Sequence, residues 1–338
     1  MSSGDLVVSR PQGLYCPAGD FYIDPVRPVE RAIITHGHAD HARSGHGQVL
    51  ASREGERVLR ARLGQRVSLQ TLGWGEATEH QGVRVSLHPA GHVLGSAQVR
   101  LQHAGQVWGI SGDYFVDARG ERNPTCTPFD PVRCDVFITE CTFGLPIYQW
   151  APQADVLREI QAWWQANAAD GVTSVLLAYS LGKAQRILAG MQPGVGPILV
   201  QPAIEAMNQA YRESGVALPH TQVWDGSSRP HDLGRALVFA PPGSALVEAL
   251  RHQRPCRVAF ASGWMRLRAR RRQSLLDNGF VLSDHADWPG LQRAILATGA
   301  QRVLVTHGQE TALLQWLLEQ GLQAEAPGTT RVPHDREE

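Results

Sequence analysis

Six positions, His36 to His41, hold three histidines and an aspartate, and they directly follow the apolar run Ala32-Ile33-Ile34. A short apolar run of this kind reads as a buried strand, so the polar cluster begins where the strand ends. Imidazole and carboxylate groups packed this densely against a core need partners of comparable strength, because a polar group taken from water costs free energy unless it is paired. A metal ion is the partner that fits. Ligands at alternate positions of an extended loop, His36, His38 and Asp40, project to one side, and His41 follows onto what reads as the first turn of a helix. Such a loop can grip two cations.

Other acidic and imidazole side chains recur at the same kind of place. Leu6-Val7-Val8, Gly13 to Cys16 and Phe21-Tyr22-Ile23 are short strand signals that lead to Asp24. Asp24 precedes Pro25, where helix is disfavoured, and reads either as a turn former or as an acceptor that fixes the tautomer of a metal-bound histidine. Ser52 with Glu54 and Glu56 predicts a helix start, and Val58, Leu59 and Leu63 form its apolar face as far as Gly64. The alternating strand Val83 to Leu87 runs into a glycine-flanked loop that carries His92. Ala97 to Leu101 and Gln106 to Ile110 predict a hairpin that delivers Asp113, and the apolar strand Asp135 to Thr139 ends at Glu140.

From Pro152 onward helices and strands alternate. The pattern Asp155 to Ala168 (helix), Ser174 to Tyr179 (strand), Lys183 to Met191 (helix), Pro197 to Val200 (strand), Ile204 to Ser214 (helix), Ala236 to Ala240 (strand), Ala245 to His252 (helix) and Arg257 to Ala261 (strand) implies a parallel sheet covered on both faces. The earlier idiom then returns. Phe280-Val281-Leu282 precedes His285, and Arg302 to Val305 precedes His307.

Charge does not identify a partner, since 32 basic residues balance 32 acidic ones. Lys183 is the single lysine, a bias towards arginine that weakens any inference from arginine clusters. Five cysteines with no Cys-x-x-Cys pair read as reduced thiols, no apolar run is long enough to span a bilayer, and the N-terminus has no signal pattern. A cytoplasmic location is the expectation.

Asp24, His36, His92, Asp113, Glu140, His285 and His307 thus share the end of a strand as their position, which is how α/β folds build sites on one rim. In this order, with the loop His-x-His-x-Asp-His at 36–41, they resemble the motif set of the metallo-β-lactamase superfamily in its nucleic-acid-processing branch, the β-CASP nucleases. The resemblance covers nearly the whole chain. It implies an αββα sandwich with an inserted α/β domain: 1–150 as the first part of the metallo-β-lactamase domain, 151–279 as the inserted β-CASP domain, and 280–338 as the second part. In local wording the chain is most similar to bacterial exonucleases associated with a DNA ligase.

The resemblance also implies roles. One divalent ion would take His36, His38 and His92, a second Asp40, His41 and His307, and Asp113 would bridge them; zinc suits these ligands, and manganese could replace it at the more oxygen-rich site. Asp40, Asp113, Glu140 and His285 would carry the chemistry, with His285 protonating the leaving oxygen, Glu140 holding its ring and Asp24 supporting a ligand. Substrate would be gripped by the inserted domain through Ser180, Lys183, Ser262, Trp264, Arg266 and Arg268. Lys183 sits at a helix start where backbone N–H groups favour phosphate, Trp264 could stack on a base, and the run 266–272 is either a phosphate contact or a solvated helix face.

The expected activity is hydrolysis of nucleic-acid phosphodiesters, with a DNA exonuclease in repair favoured and a DNA ligase or helicase as functional neighbour. RNA processing keeps the same chemistry, and His307 favours it, since histidine at that motif is commoner among RNA-cutting members. A non-catalytic nucleic-acid-binding subunit and a thioester or lactam hydrolase are the readings from other classes. The complete ligand set opposes the first, and the inserted domain would have no purpose in the second.

Overall fold

The computed structural model describes residues 4–116, 123–226, 232–267 and 276–327, and the chain divides into two compact units. The first comprises Met1–Arg122, Cys126–Gln149 and His285–Glu338, and the second Asn123–Thr125 with Trp150–Asp284.

Two sheets form the first unit. One has six strands in the spatial order Val8–Arg10, Gly13–Cys16, Phe21–Ile23, Arg31–Ile33, Gln48–Ser52 and Leu69–Leu72, antiparallel across the first pairs and parallel from Phe21–Ile23 onward. The other has seven, Gln323–Glu325, Arg302–Gly308, Val136–Cys141, Gln106–Ile110, Ala97–His103, Val83–Pro89 and Ala77–His80, parallel as far as Gln106–Ile110 and antiparallel beyond.

Successive side chains of a strand point to opposite faces, and the burial follows that rule. Ile23, Ile33 and Leu72 of the first sheet meet Leu87, Val99, Trp108, Ile138 and Leu304 of the second in one core. Ala32, one residue from Ile33, turns the other way and packs with Val49, Ala51 and Leu59 of the helix Glu56–Leu63. On the far face of the second sheet, Phe137, Val303 and Val305 pack against Ile295 of the helix Trp288–Thr298 and Leu313 and Leu317 of the helix Glu310–Glu319.

The second unit has a parallel sheet of six strands, in the order Gln222–Val223, Ile198–Val200, Leu237–Ala240, Thr173–Leu177, Cys256–Ala261 and Asn278–Phe280. One face buries Leu176, Phe239 and Ala259 under Ile160 and Trp164 of the helix Gln153–Ala169, Ile187 of Lys183–Leu188 and Ile204 of Pro202–Glu213. The other buries Val175, Val238 and Val258 under Leu246 and Leu250 of Ala245–Gln253. Long β-branched and leucine runs were the signal for strands covered on both sides, and the alternation of helix and strand gives parallel pairing.

Four local expectations are corrected. Ser52 ends a strand and does not begin the next helix: its hydroxyl accepts from Gly55 N–H and donates to Gly95 C=O, and the helix starts at Glu56. His41 lies in a turn closed by Ala42 N–H on His38 C=O, with no helix following it. Glu140 and His307 fall inside the strands Val136–Cys141 and Arg302–Gly308, where a register shift between Thr139 and Cys141 bends the ladder. The strand expected at Phe280–Leu282 is Asn278–Phe280, paired to Cys256–Ala261 in the second unit's sheet. Among the described residues, no helix is long and apolar enough to cross a membrane.

Candidate metal centre

All the ligand candidates lie in the first unit, at ends or irregularities of its strands. Nε2 of His36 and Nε2 of His92 each stand 3.0 Å from Nδ1 of His38. Oδ2 of Asp113 is 3.6 Å from Nε2 of His36 and 3.9 Å from Nε2 of His92, and all four side chains are buried. A second group meets the same carboxylate. His41 Nε2 is 3.4 Å from Asp113 Oδ2 and 3.7 Å from Asp40 Oδ2, while His307 Nε2 is 3.4 Å from Asp113 Oδ1. Asp113 is therefore shared.

The donor chemistry of these groups fits cations. A neutral imidazole carries one N–H, so Nδ1 of His38 can donate to at most one of the two ring nitrogens it faces. Nδ1 of His41 lies 2.7 Å from Asp24 Oδ2, which places a proton there and aims Nε2 at Asp113 and Asp40. Oδ1 of Asp40 is buried and accepts no hydrogen bond. Nitrogen and carboxylate lone pairs facing one another without hydrogens between them are what divalent ions satisfy, and the mixed N/O set suits zinc or a similar ion.

Electrostatics point the same way. Burial pushes the Asp113 carboxyl up, yet the His41 charge and the hydrogen bonds from His307 and His41 outweigh it and hold its pKa well below the carboxylate range. Burial would lower His41, but Asp113, Asp40 and Asp24 raise it well above the usual histidine value. His36, buried and beside His41, is pushed well below it. Three carboxylates call for positive charge at this spot, and a cation would supply it in place of a proton.

Supporting residues fix the ligands. Asp24 takes the left-handed conformation, φ +44°, which aspartate tolerates better than most residues, and its carboxylate accepts Thr35 N–H at 2.8 Å, the Thr35 hydroxyl and His41 Nδ1–H. Gly112 at φ +55° lets Thr35 approach: a Cβ there would lie 2.8 Å from Thr35 Cβ. Asp24→Asn retains the shape and tolerance of left-handed backbone but removes the charge. It is expected to weaken metal affinity about 10- to 100-fold, the usual cost of losing a partner behind a ligating histidine, as measured by competition with a chromophoric chelator.

Glu140 lies beside this cluster. Its carboxylate accepts Tyr114 N–H at 3.0 Å, Thr142 N–H at 3.1 Å and the Thr142 hydroxyl, and sits 3.0 Å from Nδ1 of His285. Burial raises its pKa, and the charge and hydrogen bond of His285 prevail to lower it. The His285 ring stacks at a tilt on His92, with centroids 4.5 Å apart. On the other side, a pocket of about 150 Å³ opens next to His41 and His307, walled by Leu14, Ile23 and Ile110.

The expected substrate residues fare differently. Lys183 is buried, 2% exposed, with its ammonium 2.6 Å from Asp284 Oδ1 inside the second unit. That corrects the expectation of a lysine offered to phosphate, because the carboxylate already takes the charge at the helix start. Ser180 and Ser262 are buried as well, and Ser262 Oγ accepts Trp264 N–H, so that hydroxyl serves the backbone of the second unit. Trp264 is half-buried and Arg266 exposed. Arg268 lies outside the described residues. Thr35 and Thr142, whose hydroxyls hold the two supporting carboxylates, were missed as functional residues; their only sequence signal is their place one residue before His36 and two after Glu140.

Comparison with protein-family models gives no match. Over 320 residues, 94% of this chain, the sequence is 33% identical to a protein of Opitutus terrae named Probable DNA ligase, and that stretch is 30% of the relative's length. It is 24% identical over 200 residues to cleavage and polyadenylation specificity factor 73 of Drosophila melanogaster, covering 52% of this chain and 29% of that one. It is 28% identical over 120 residues to Endoribonuclease YSH1 of Candida albicans, covering 36% and 13%. The chain thus spans less than a third of each of these relatives. A crystal structure of a protein of unknown function from Enterococcus faecalis V583 has a similar fold, at TM-score 0.55 and 10% identity, over 81% of this chain and 74% of that one. Its histidine and aspartate loops in the order of that motif set, with relatives of these kinds along its length, agree with the chain's resemblance to the β-CASP branch of the metallo-β-lactamase superfamily.

Proposed function

We propose that the chain is a two-metal phosphodiesterase acting on nucleic acid, with DNA as substrate and exonucleolytic digestion as its mode. The observation that carries this reading is Asp113, whose two oxygens face two groups of buried ligands while Glu140 and His285 stand next to them. DNA is favoured because the relative matched over 94% of the chain is named for DNA ligation. RNA is the second reading, favoured by the relatives named as an endoribonuclease and as a cleavage and polyadenylation factor. In this proposal the layered first unit is the family's αββα sandwich, interrupted by the second unit as its β-CASP domain. The five free cysteines agree with a reducing, cytoplasmic setting, and a DNA ligase or helicase is the functional neighbour proposed from the relative named for DNA ligation.

His36, His38 and His92 would hold one ion and Asp40, His41 and His307 the other, with Asp113 reaching both. Divalent ions held there would stabilise charge on phosphoryl oxygens and ease the deprotonation of water near neutral pH. Glu140 keeps the proton of His285 on Nδ1 and stabilises the ring when it is charged, which leaves Nε2 to donate a proton to the departing oxygen. Asp24 and Thr35 hold His41 in one orientation, so the ligand loop is fixed before substrate arrives. Arg266 and Trp264 are the surface groups of the second unit proposed to meet substrate, Arg266 by charge and Trp264 by stacking.

A 5′-labelled DNA strand and RNA of the same sequence, incubated with zinc- or manganese-loaded protein, test this reading. DNA is expected to shorten to a ladder of products while RNA persists, and Asp113→Ala is expected to leave both intact. Preferential loss of RNA transfers the activity to RNA processing. Intact strands under every metal remove the nuclease reading.

A further inference from the structure

In a chain whose charges balance, a groove lined by one sign only departs from the average. Two adjoining depressions in the first unit, of about 620 and 430 Å³, share Arg43, Ser44 and Leu63. His46 and Arg66 line the larger with Arg43, Arg62 lines the smaller, and neither has an Asp or Glu in its lining. Glu30, packed beside Gly47 at the rim, and Asp24, whose charge acts on His46, are acidic neighbours, and no ion pair ties Glu30 to Arg43, Arg62 or Arg66 among the described residues.

Two of the lining residues also carry donors that nothing accepts. Nδ1 of His46 accepts Val29 N–H at 3.3 Å, which puts the ring proton on Nε2. That Nε2 is buried without a partner, and so is Nε of Arg43. Buried donors without acceptors are rare in folded proteins, and two in one groove mark a place where an acceptor belongs. The arginine-rich composition of the chain explains neither the unmet donors nor the missing carboxylates.

Position links the groove to the metal centre. Arg43 follows His41 by two residues, and Arg62 Nε donates at 3.1 Å to the carbonyl of Gly37, between His36 and His38. The ligand this lining fits is acceptor-only, anionic and extended, since its donors are spread along two segments and not gathered at one point. A phosphodiester backbone has these properties, and with no Phe, Tyr or Trp in the lining the groove has nothing on which to stack bases. We propose that Arg43, His46, Arg62 and Arg66 form a track for the phosphate backbone of a nucleic-acid strand next to the metal loop, an inference that rests on the nuclease reading above for its ligand.

The test uses the full chain with a fluorescent 20-nucleotide single strand of DNA, the same sequence as RNA, and bis(p-nitrophenyl) phosphate, which has no strand to lay along the groove. Arg43→Gln with Arg66→Gln is expected to raise Kd about tenfold for both strands and to reduce the slope of log K against log salt by about 1.4, roughly 0.7 for each phosphate of a single strand that an arginine no longer neutralises. Hydrolysis of the small ester is expected to stay unchanged. Ser68→Glu, at an exposed lining position, puts a carboxylate into the groove while leaving the arginines in place, and is expected to weaken binding in the same way; it decides the matter should the double variant fail to fold. Wild-type Kd and salt slope in the folded variants overturn the track. If strands bind and lose affinity in the variants but are never cut, the track stands and the nuclease reading falls. If they are cut and bind all variants equally, the nuclease reading stands and the track falls.

Discussion

Asp113→Ala is expected to abolish phosphodiester hydrolysis, lowering kcat/KM by on the order of 10³-fold or more, since metal-assisted stabilisation of charge is worth several kcal/mol and each 1.36 kcal/mol is about tenfold. The reason is geometric. Oδ2 lies 3.4 to 3.9 Å from the nitrogens of His41, His36 and His92, and Oδ1 lies 3.4 Å from His307, so among the described residues Asp113 is the side chain common to both groups. Its loss also removes the negative charge that stabilises any cation beside these imidazoles. Metal content measured by atomic emission is expected to fall from about two ions per chain to one or none, and Asp113→Asn, which retains shape and loses charge, is expected to fall almost as far. A variant with two bound ions and activity within tenfold of the parent would show that Asp113 is not shared between the sites.

What the sequence made legible was the set of loops, because polar ligands after an apolar strand stand out against both periodicities. His36 follows Arg31–Ile33, His92 follows Val83–Pro89 and Asp113 follows Gln106–Ile110, each in an exit loop. Glu140 and His307 were harder to place, since only pairing across the sheet reveals the shift at Thr139/Cys141 that re-aims the end of that strand. The strands Gln48–Ser52, Leu69–Leu72 and Ala77–His80 escaped notice because each is short and partly polar.

Lys183 shows the deeper limit. A glycine and a lysine at a helix start read alike whether the ammonium faces solvent or a carboxylate 101 residues away, and the partner, Asp284, is supplied by tertiary structure alone. The paired oxygens of Asp24 and Glu140 were anticipated as supports, but the threonines that orient them were not. A hydroxyl next to a motif has too many ordinary uses for sequence to single it out.

His285→Ala is expected to lower kcat on nucleic acid by about 10²- to 10⁴-fold, the range for losing a positioned acid, while both metal ions remain bound. His285 touches the cluster through its ring contact with His92, and its Nδ1 is engaged by Glu140, so it is placed to hold a proton and not a metal. Two readouts separate proton donation from a merely structural role. With p-nitrophenyl esters, whose leaving oxygen departs without protonation, the loss is expected to shrink to tenfold or less, by roughly 1.4 kcal/mol for each tenfold recovered. Glu140→Gln leaves the imidazole in place but replaces its anionic acceptor, and is expected to give an intermediate loss with the same dependence on leaving group, because the proton is then less firmly held on Nδ1 and the charged ring less stabilised. An equal loss on both kinds of ester, in both variants, would assign His285 and Glu140 to holding the fold of the site instead of to the transfer of a proton.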